Sequence, residues 1–188
     1  EQLSNFYPDI EDEKFISKFA VYHQRYSTNT FPTWSLAQPF RIIAHNGEIN
    51  TLKGNKNWMA AHEPRMHHPN FENNIDDLKP IINASDSDSA ALDSTIELLV
   101  RSNRNLPMAK LMTIPEAFAH RRDFPKKLKD LYAYANAVLE SWDGPAAICG
   151  AHDEWAIAGM DRNGLRPIRY TLTEEFVVAG SETGMVEI

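Results

Sequence analysis

Three stretches of the chain place apolar residues at the three- and four-residue spacing that predicts amphipathic helices. The clearest predicts a helix near 88–102, and residues 85–88 just before it are of the types that cap helix N-termini. A longer helix is predicted at about 125–142 and a short one at about 50–62.

Other apolar runs are short and rich in β-prone residues, as in strands. Two lie early in the chain, at 19–22 and 39–45, and the second ends at Asn46-Gly47, a dipeptide that readily takes positive φ. Four more follow in the last quarter of the chain and predict an antiparallel meander: 146–151, 155–160, 165–172 and 176–180.

The order of these elements predicts the fold class. Strands come first, then helices, then strands again, and strand and helix do not alternate regularly. We therefore expect an α+β fold in which helices pack on antiparallel sheet, and not a doubly wound sheet. A length of 188 residues predicts a single domain over 1–188.

Composition excludes several classes of function. A net charge of −7 disfavours a nucleic-acid partner, which calls for a basic face. We expect no membrane span, because no apolar run reaches about 18 residues, and no secretory signal, because a basic start and an apolar core are both missing. A single cysteine, Cys149, cannot form an internal disulfide, so a reducing, cytoplasmic location is expected. No metal site is predicted.

Three polar features lie at predicted element ends. Arg25 follows the first strand, and its guanidinium can grip a carboxylate at two points. Asn46 and Gly47 offer a side-chain amide beside an unobstructed backbone N–H, a suitable pair of oxyanion donors. Asp88 starts a helix and can bind an ammonium group. Taken singly, they read as a surface arginine, a turn and an N-cap; together they describe a pocket for an α-amino acid undergoing acyl transfer.

Longer motifs carry a family resemblance. The stretches HQRYSTNTFP at 23–32, AQP at 37–39 and HNGEINTLKGN at 45–55 closely resemble the glutamine amidotransferase domain of the glutamate synthase large subunit. The resemblance continues through four shorter motifs: IPEA at 114–117, WDGP at 142–145, DRNGLRP at 161–167 and SE at 181–182.

The resemblance implies a fold and a set of roles. The fold would be part of the four-layer αββα sandwich of N-terminal nucleophile hydrolases. Arg25 would bind the α-carboxylate of glutamine, and Thr28 would line the same pocket. Asn46 and Gly47 would form the oxyanion hole.

The resemblance also implies a carboxylate for the substrate α-amino group. It belongs to a Ser-Asp-Ser motif ahead of a helix, and residues 85–89 contain that motif twice. Counting back from the helix favours Asp88, with Asp86 as the alternative.

The family nucleophile is a cysteine at the mature N-terminus, whose own amine acts as the base. Residue 1 of this chain is Glu1, and Cys149 lies in an apolar strand where a cysteine behaves as a small hydrophobe. The seven histidines suggest no Cys-His or Ser-His pair, and His45 is expected to serve the strand end. Since His-Gln-Arg begins at residue 23, the chain is expected to be the C-terminal part of the domain and inactive alone.

The expected function follows from this resemblance. The parent would hydrolyse glutamine and deliver ammonia to a distant site that makes glutamate from 2-oxoglutarate. FMN and an iron–sulfur cluster would lie in other domains, and a small reductase subunit would be a further partner. Two alternatives are a nucleophile-free module that senses glutamine or docks to a partner, and an acyl transferase with another amide donor.

Overall fold

The computed structural model describes residues 2–27, 30–72 and 74–187. Its α-helices, joined in places by short 3₁₀ turns, are α1 Leu3–Phe6, α2 Lys53–His62, α3 Asp88–Arg101, α4 Leu106–Thr113 and α5 Lys126–Val138. Its strands are β1 Ile43–Gly47, β2 Ala146–His152, β3 Trp155–Met160, β4 Arg169–Leu172 and β5 Val177–Gly180.

The three helices predicted from periodicity are confirmed as α2, α3 and α5 with slightly shorter bounds. The sequence interpretation missed α4. Its start is capped by Asn105, whose Oδ1 accepts the N–H of Met108 at 2.9 Å. An Asn cap followed by Pro107 near the helix start is a recognisable signal.

The predicted meander of four strands is wrong. β1, β2 and β3 form an antiparallel three-stranded sheet in that order, whereas β4 and β5 form a separate two-stranded sheet. The chain leaves the first sheet at Asp161, a buried residue whose carboxylate accepts four backbone N–H groups, from Ala146, Asn163, Leu165 and Arg166, at 2.9–3.0 Å. These bonds curl 161–166 into a loop, so β4 begins only at Arg169.

The predicted strand at 19–22 is also wrong. Within the part of the chain that the structure describes, this segment belongs to no sheet. Phe19 and Tyr22 are exposed, and the Tyr22 hydroxyl donates to the carbonyl of Met185 at 2.8 Å. β-Propensity alone supplies no hydrogen-bond partner for the backbone, so the segment does not become a strand.

The three-stranded sheet has two different faces. Ile43 and Ile148 are fully buried and belong to one core with residues of α3 and α4. The opposite face carries small side chains, because Ala44, Cys149 and Ala158 lie directly opposite one another in the register. The fold is therefore α+β, with helices on one face of an antiparallel sheet.

A buried carboxylate fastens α3 to the start of β1. Asp93 is 4% exposed, and its two oxygens accept the backbone N–H groups of Arg41, Ile42 and Ile43 at 3.1, 3.0 and 2.9 Å. Such a contact satisfies three donors that the sheet leaves unpaired at its margin. It also fixes the position of the start of β1 relative to α3, beside Asp93.

We predict that Asp93→Ala strongly destabilises this junction. Each buried donor left without a partner costs about 1–3 kcal/mol, so the free energy of opening should fall by about 3 kcal/mol or more. Native-state hydrogen exchange of the Ile42 and Ile43 amides measures it.

Glu97→Ala is the matched control for this change. Glu97 lies one turn further along α3 and bonds the exposed Arg41 side chain at 2.8 Å. A surface ion pair of this kind contributes about 1 kcal/mol or less. Equal effects of the two substitutions would contradict the structural role assigned to Asp93.

Candidate functional site

The end of β1 and the start of α3 face one large cleft. Its volume is about 2040 Å³, and its lining includes Arg25, Asn46, Gly47 and Asp88. Thr28, the remaining residue predicted for the site, lies outside the described residues. The structure thus places the four described candidates around a single space, although they come from three separate parts of the chain.

Gly47 allows two backbone segments to approach closely. Its φ is +143°, and a Cβ at this position would lie 1.9 Å from the carbonyl oxygen of Pro145. The next residue, Glu48, donates its N–H to that same oxygen at 2.8 Å. The interpretation of Asn46-Gly47 as a turn is wrong, because both residues lie in β1 and pair with β2.

The Asn46 amide is bound to an anionic group in this structure. Its Nδ2 donates to Ser181 Oγ at 2.9 Å and to Glu182 Oε1 at 3.3 Å. Glu182 Oε1 also lies 3.6 Å from the guanidinium of Arg166. The donor predicted for an oxyanion therefore already faces a negatively charged oxygen. The sequence motif at 181–182 gave no hint of this contact.

One interpretation of the sequence made Asp88 the N-cap of α3, and this is wrong. Ser87 is the cap, and its hydroxyl accepts the N–H of Ala90 at 3.2 Å. Asp88 Oδ1 accepts from the backbone N–H of Ser89 at 2.6 Å and from its hydroxyl at 2.9 Å. Among the described residues, none donates a hydrogen bond to Oδ2, and Asp88 lines the cleft. One carboxylate oxygen is thus available to a ligand.

Asp86, the alternative to Asp88, is engaged in its own loop. Its Oδ2 accepts the N–H of Asn83 at 2.8 Å, and its carbonyl accepts from Lys56 Nζ at 2.8 Å. It is not among the residues that line the cleft. Geometry therefore favours Asp88, and the bonds of Asp86 and Lys56 hold the loop ahead of α3.

His45 forms a pair with Ser89 that the sequence did not suggest. The imidazole Nε2 is hydrogen-bonded to Ser89 Oγ, and the histidine is only 6% exposed. Burial lowers the pKa of His45 to about 4; the Asp88 charge opposes this shift, whereas His23 and Arg166 add to it. His45 is therefore neutral at pH 7. The two residues are 44 positions apart, so only the fold reveals the pair.

Arg25 lies in an irregular segment with its side chain exposed. Its backbone N–H donates to His23 Nδ1 at 3.3 Å. Within the described ranges, its guanidinium makes no ion pair with a carboxylate, in contrast to Arg166 and Arg41. The guanidinium of Arg25 can therefore bind the carboxylate of a ligand.

Cys149 lies in the middle of β2 between Ala44 and Ala158. Burial raises the pKa of its thiol, which keeps the sulfur protonated and poorly nucleophilic. In the described part of the chain, no three His, Cys, Asp or Glu side chains cluster as a metal site would require. Among the same residues, no helix is both long enough and apolar enough to cross a membrane.

Comparison with known proteins assigns the chain to a family. The family model described as glutamine amidotransferases class-II matches residues 1–188. The chain belongs to this family. The α+β arrangement with antiparallel sheets is consistent with that membership.

Several curated relatives are glutamate synthases. The chain is 58% identical over 189 residues to the glutamate synthase [NADPH] large chain of Azospirillum brasilense, covering 100% of the chain and 12% of that protein. It is 47% identical to glutamate synthase [NADH] of Saccharomyces cerevisiae, covering 100% of the chain and 9% of the relative. Identity to the ferredoxin-dependent glutamate synthase of Pyropia yezoensis is 45%, covering 99% of the chain and 12% of the relative. The chain therefore spans only a small part of these relatives.

We predict that the His45 imidazole titrates with a midpoint near pH 4. An NMR pH titration measures this midpoint, and the spectrum of the His45→Gln variant identifies the His45 resonance. Below pH 6.5 the unfolded state binds more protons than the folded state, so stability falls as pH drops towards 4. The full loss is about 3 kcal/mol, at about 1.4 kcal/mol per pKa unit. A midpoint near 6.5 would contradict the burial argument.

Proposed function

We propose that this chain is the glutamine-binding and oxyanion-stabilising part of a glutaminase domain, which hydrolyses glutamine to glutamate and ammonia within a glutamate synthase. One observation carries the proposal: Arg25, the pair Asn46 and Gly47, and Asp88 line the same cleft. Membership of the class II glutamine amidotransferases supports it.

Charge complementarity explains how glutamine would be held. Its zwitterionic end presents one carboxylate and one ammonium group. The guanidinium of Arg25 takes the carboxylate, since a planar fork matches its two oxygens. The ammonium group binds Asp88 through Oδ2, the oxygen to which no described residue donates. Thr28 is proposed to line the same pocket. The two charged ends thus fix the orientation of the substrate.

The other end of the substrate carries the amide that is attacked. In the tetrahedral intermediate its oxygen becomes negative, and Asn46 Nδ2 and the Gly47 N–H are proposed to donate to it. The contact between Asn46 Nδ2 and a Glu182 carboxylate oxygen supports this role, because the donor already stabilises an anionic oxygen. As the tetrahedral intermediate forms, its negative oxygen takes the place of Glu182.

The attacking group is proposed to be a cysteine that is not among the residues of this chain. Cys149 is unsuited to attack, because burial raises the pKa of its thiol. Glu1 lies outside the described residues. The chain by itself is expected to bind glutamine without releasing ammonia.

The chain is proposed to form part of the four-layer αββα sandwich, namely one helix layer and the sheet packed against it. Residues 1–188 are proposed to be part of a single domain. Helices cover one face of the three-stranded sheet, whereas the opposite face carries small side chains such as Ala44 and Ala158. A second sheet could pack closely on such a face.

The other components of the proposed synthase are FMN, an iron–sulfur cluster and a small reductase subunit, in a cytoplasmic enzyme that passes ammonia to 2-oxoglutarate. The residues of this chain do not fit an iron–sulfur cluster. An iron–sulfur cluster needs several thiolates, and Cys149 is the one cysteine. The cluster is therefore assigned to another domain.

We predict that Arg25→Ala in the intact synthase raises the KM for glutamine at least tenfold. The loss of a charge-assisted contact costs at least about 1.5 kcal/mol, which corresponds to about a tenfold change. Steady-state ammonia release at varied glutamine concentration measures the effect. Arg122→Ala, at an exposed arginine away from the cleft, is the control. An unchanged KM would favour an acyl transferase with another amide donor.

We predict that Asn46→Ala lowers kcat by about 100-fold and changes KM little, because an oxyanion donor acts mainly in the transition state. Ammonia release at saturating glutamine gives this value. Asn57→Ala, at an exposed position on α2, controls for the general effect of removing an amide. An unaltered kcat would remove Asn46 from the proposed oxyanion hole.

A further inference from the structure

We propose that Ser89, held in place by His45, is the positioning residue that aims the Asp88 carboxylate at the substrate α-ammonium group. The proposal rests on the function proposed above and assigns two residues to the recognition of one end of the substrate. Neither Ser89 nor His45 contacts the substrate in this scheme. Both act through Asp88.

Three side chains form a continuous hydrogen-bonded series. His45 Nε2 bonds Ser89 Oγ, and Ser89 Oγ donates to Asp88 Oδ1 at 2.9 Å. The backbone N–H of Ser89 donates to the same oxygen at 2.6 Å. Two donors from one residue therefore converge on Oδ1, and this fixes the carboxylate plane and leaves Oδ2 for a ligand.

The number of protons sets the direction of the series. Ser89 has one hydroxyl proton, and it is donated to Asp88. The hydroxyl oxygen must then accept a proton from its other partner, so His45 carries its proton on Nε2. Nδ1 is left as a bare acceptor, and it is indeed a buried atom for which no described residue provides a hydrogen bond. Among the described residues, Ser89 is therefore the only hydrogen-bond partner of the His45 imidazole.

The position of His45 in β1 links the ammonium site to the oxyanion donor. His45 immediately precedes Asn46 in β1, so the two side chains leave opposite faces of the sheet. That of His45 reaches Ser89 on α3, that of Asn46 reaches Ser181 and Glu182, and both residues border the cleft. One strand therefore carries both the oxyanion donor and the support for the ammonium site. The spacing between the two ends of the substrate pocket is set by this strand and by its bond to α3.

The test compares two substrates in the intact synthase. Glutamine carries the α-ammonium group, and glutaramate is the same molecule without it. We expect Ser89→Ala to lower kcat/KM for glutamine about tenfold, the size expected for a hydrogen bond to a charged group. The kcat/KM for glutaramate should stay unchanged. A general disturbance of the fold would lower both values equally and would overturn the proposal.

Conservative variants separate positioning from proton transfer. Ser89→Thr retains a hydroxyl and should restore the glutamine preference that Ser89→Ala loses. His45→Gln retains an N–H donor near the position of Nε2 and should keep most of that preference, whereas His45→Leu should lose it. Loss of activity in His45→Gln equal to that in His45→Leu would show that the imidazole itself takes part, against the proposal.

A double-mutant cycle separates failure of this inference from failure of the proposed function. Asp88→Asn should abolish the preference for glutamine over glutaramate, and adding Ser89→Ala to it should have no further effect. An Asp88→Asn variant with normal preference would overturn the ammonium site itself. An impaired Asp88→Asn variant together with a normal Ser89→Ala variant would overturn only the positioning role.

Discussion

A helix and a strand joined at two points hold the candidate site together. At one point the Asp93 carboxylate of α3 accepts the backbone N–H groups at the start of β1. At the other, Ser89 bonds His45 near the end of the strand. Because position 93 lies beside 41–43 and position 89 beside 45, the helix and strand run in opposite directions. This orientation brings the first residue of α3, Asp88, to the end of β1 where Asn46 and Gly47 lie.

Burial of His45 matters to the charge balance at this junction. A protonated imidazole bonded through Ser89 would partly neutralise Asp88 and weaken its attraction for an ammonium group. Burial lowers the pKa of His45 to about 4, so at neutral pH the histidine orders the series without contributing charge. The charge of Asp88 then remains available to a ligand in the cleft. A lysine or an arginine in place of His45 would supply the same donor with the wrong electrostatics.

The sequence predicted the parts of this molecule that depend on local patterns. Periodicity located α2, α3 and α5. Residue type and position selected Asn46, Gly47 and Asp88 as site candidates, and these residues line one cleft. Local patterns do not specify the contacts between distant segments. Asp161 ends the first sheet through bonds to Ala146 and to its own loop, which no β-propensity reveals, so the meander was wrong. Similarly, the partners of Asn46 at 181–182 lie about 135 residues away and depend on the tertiary fold.

The contact between Asn46 and Glu182 has a consequence for catalysis under the proposed function. The donor is paired before substrate arrives, so its amide does not suffer the cost of an unsatisfied polar group. A neutral amide oxygen of glutamine competes poorly with a carboxylate oxygen for that donor, whereas the negative oxygen of the tetrahedral intermediate competes well. Displacement of Glu182 is therefore unfavourable while the substrate amide is neutral and becomes favourable as its oxygen turns negative. Such a difference is the kind of binding that raises kcat, because only interactions stronger in the transition state accelerate the chemical step.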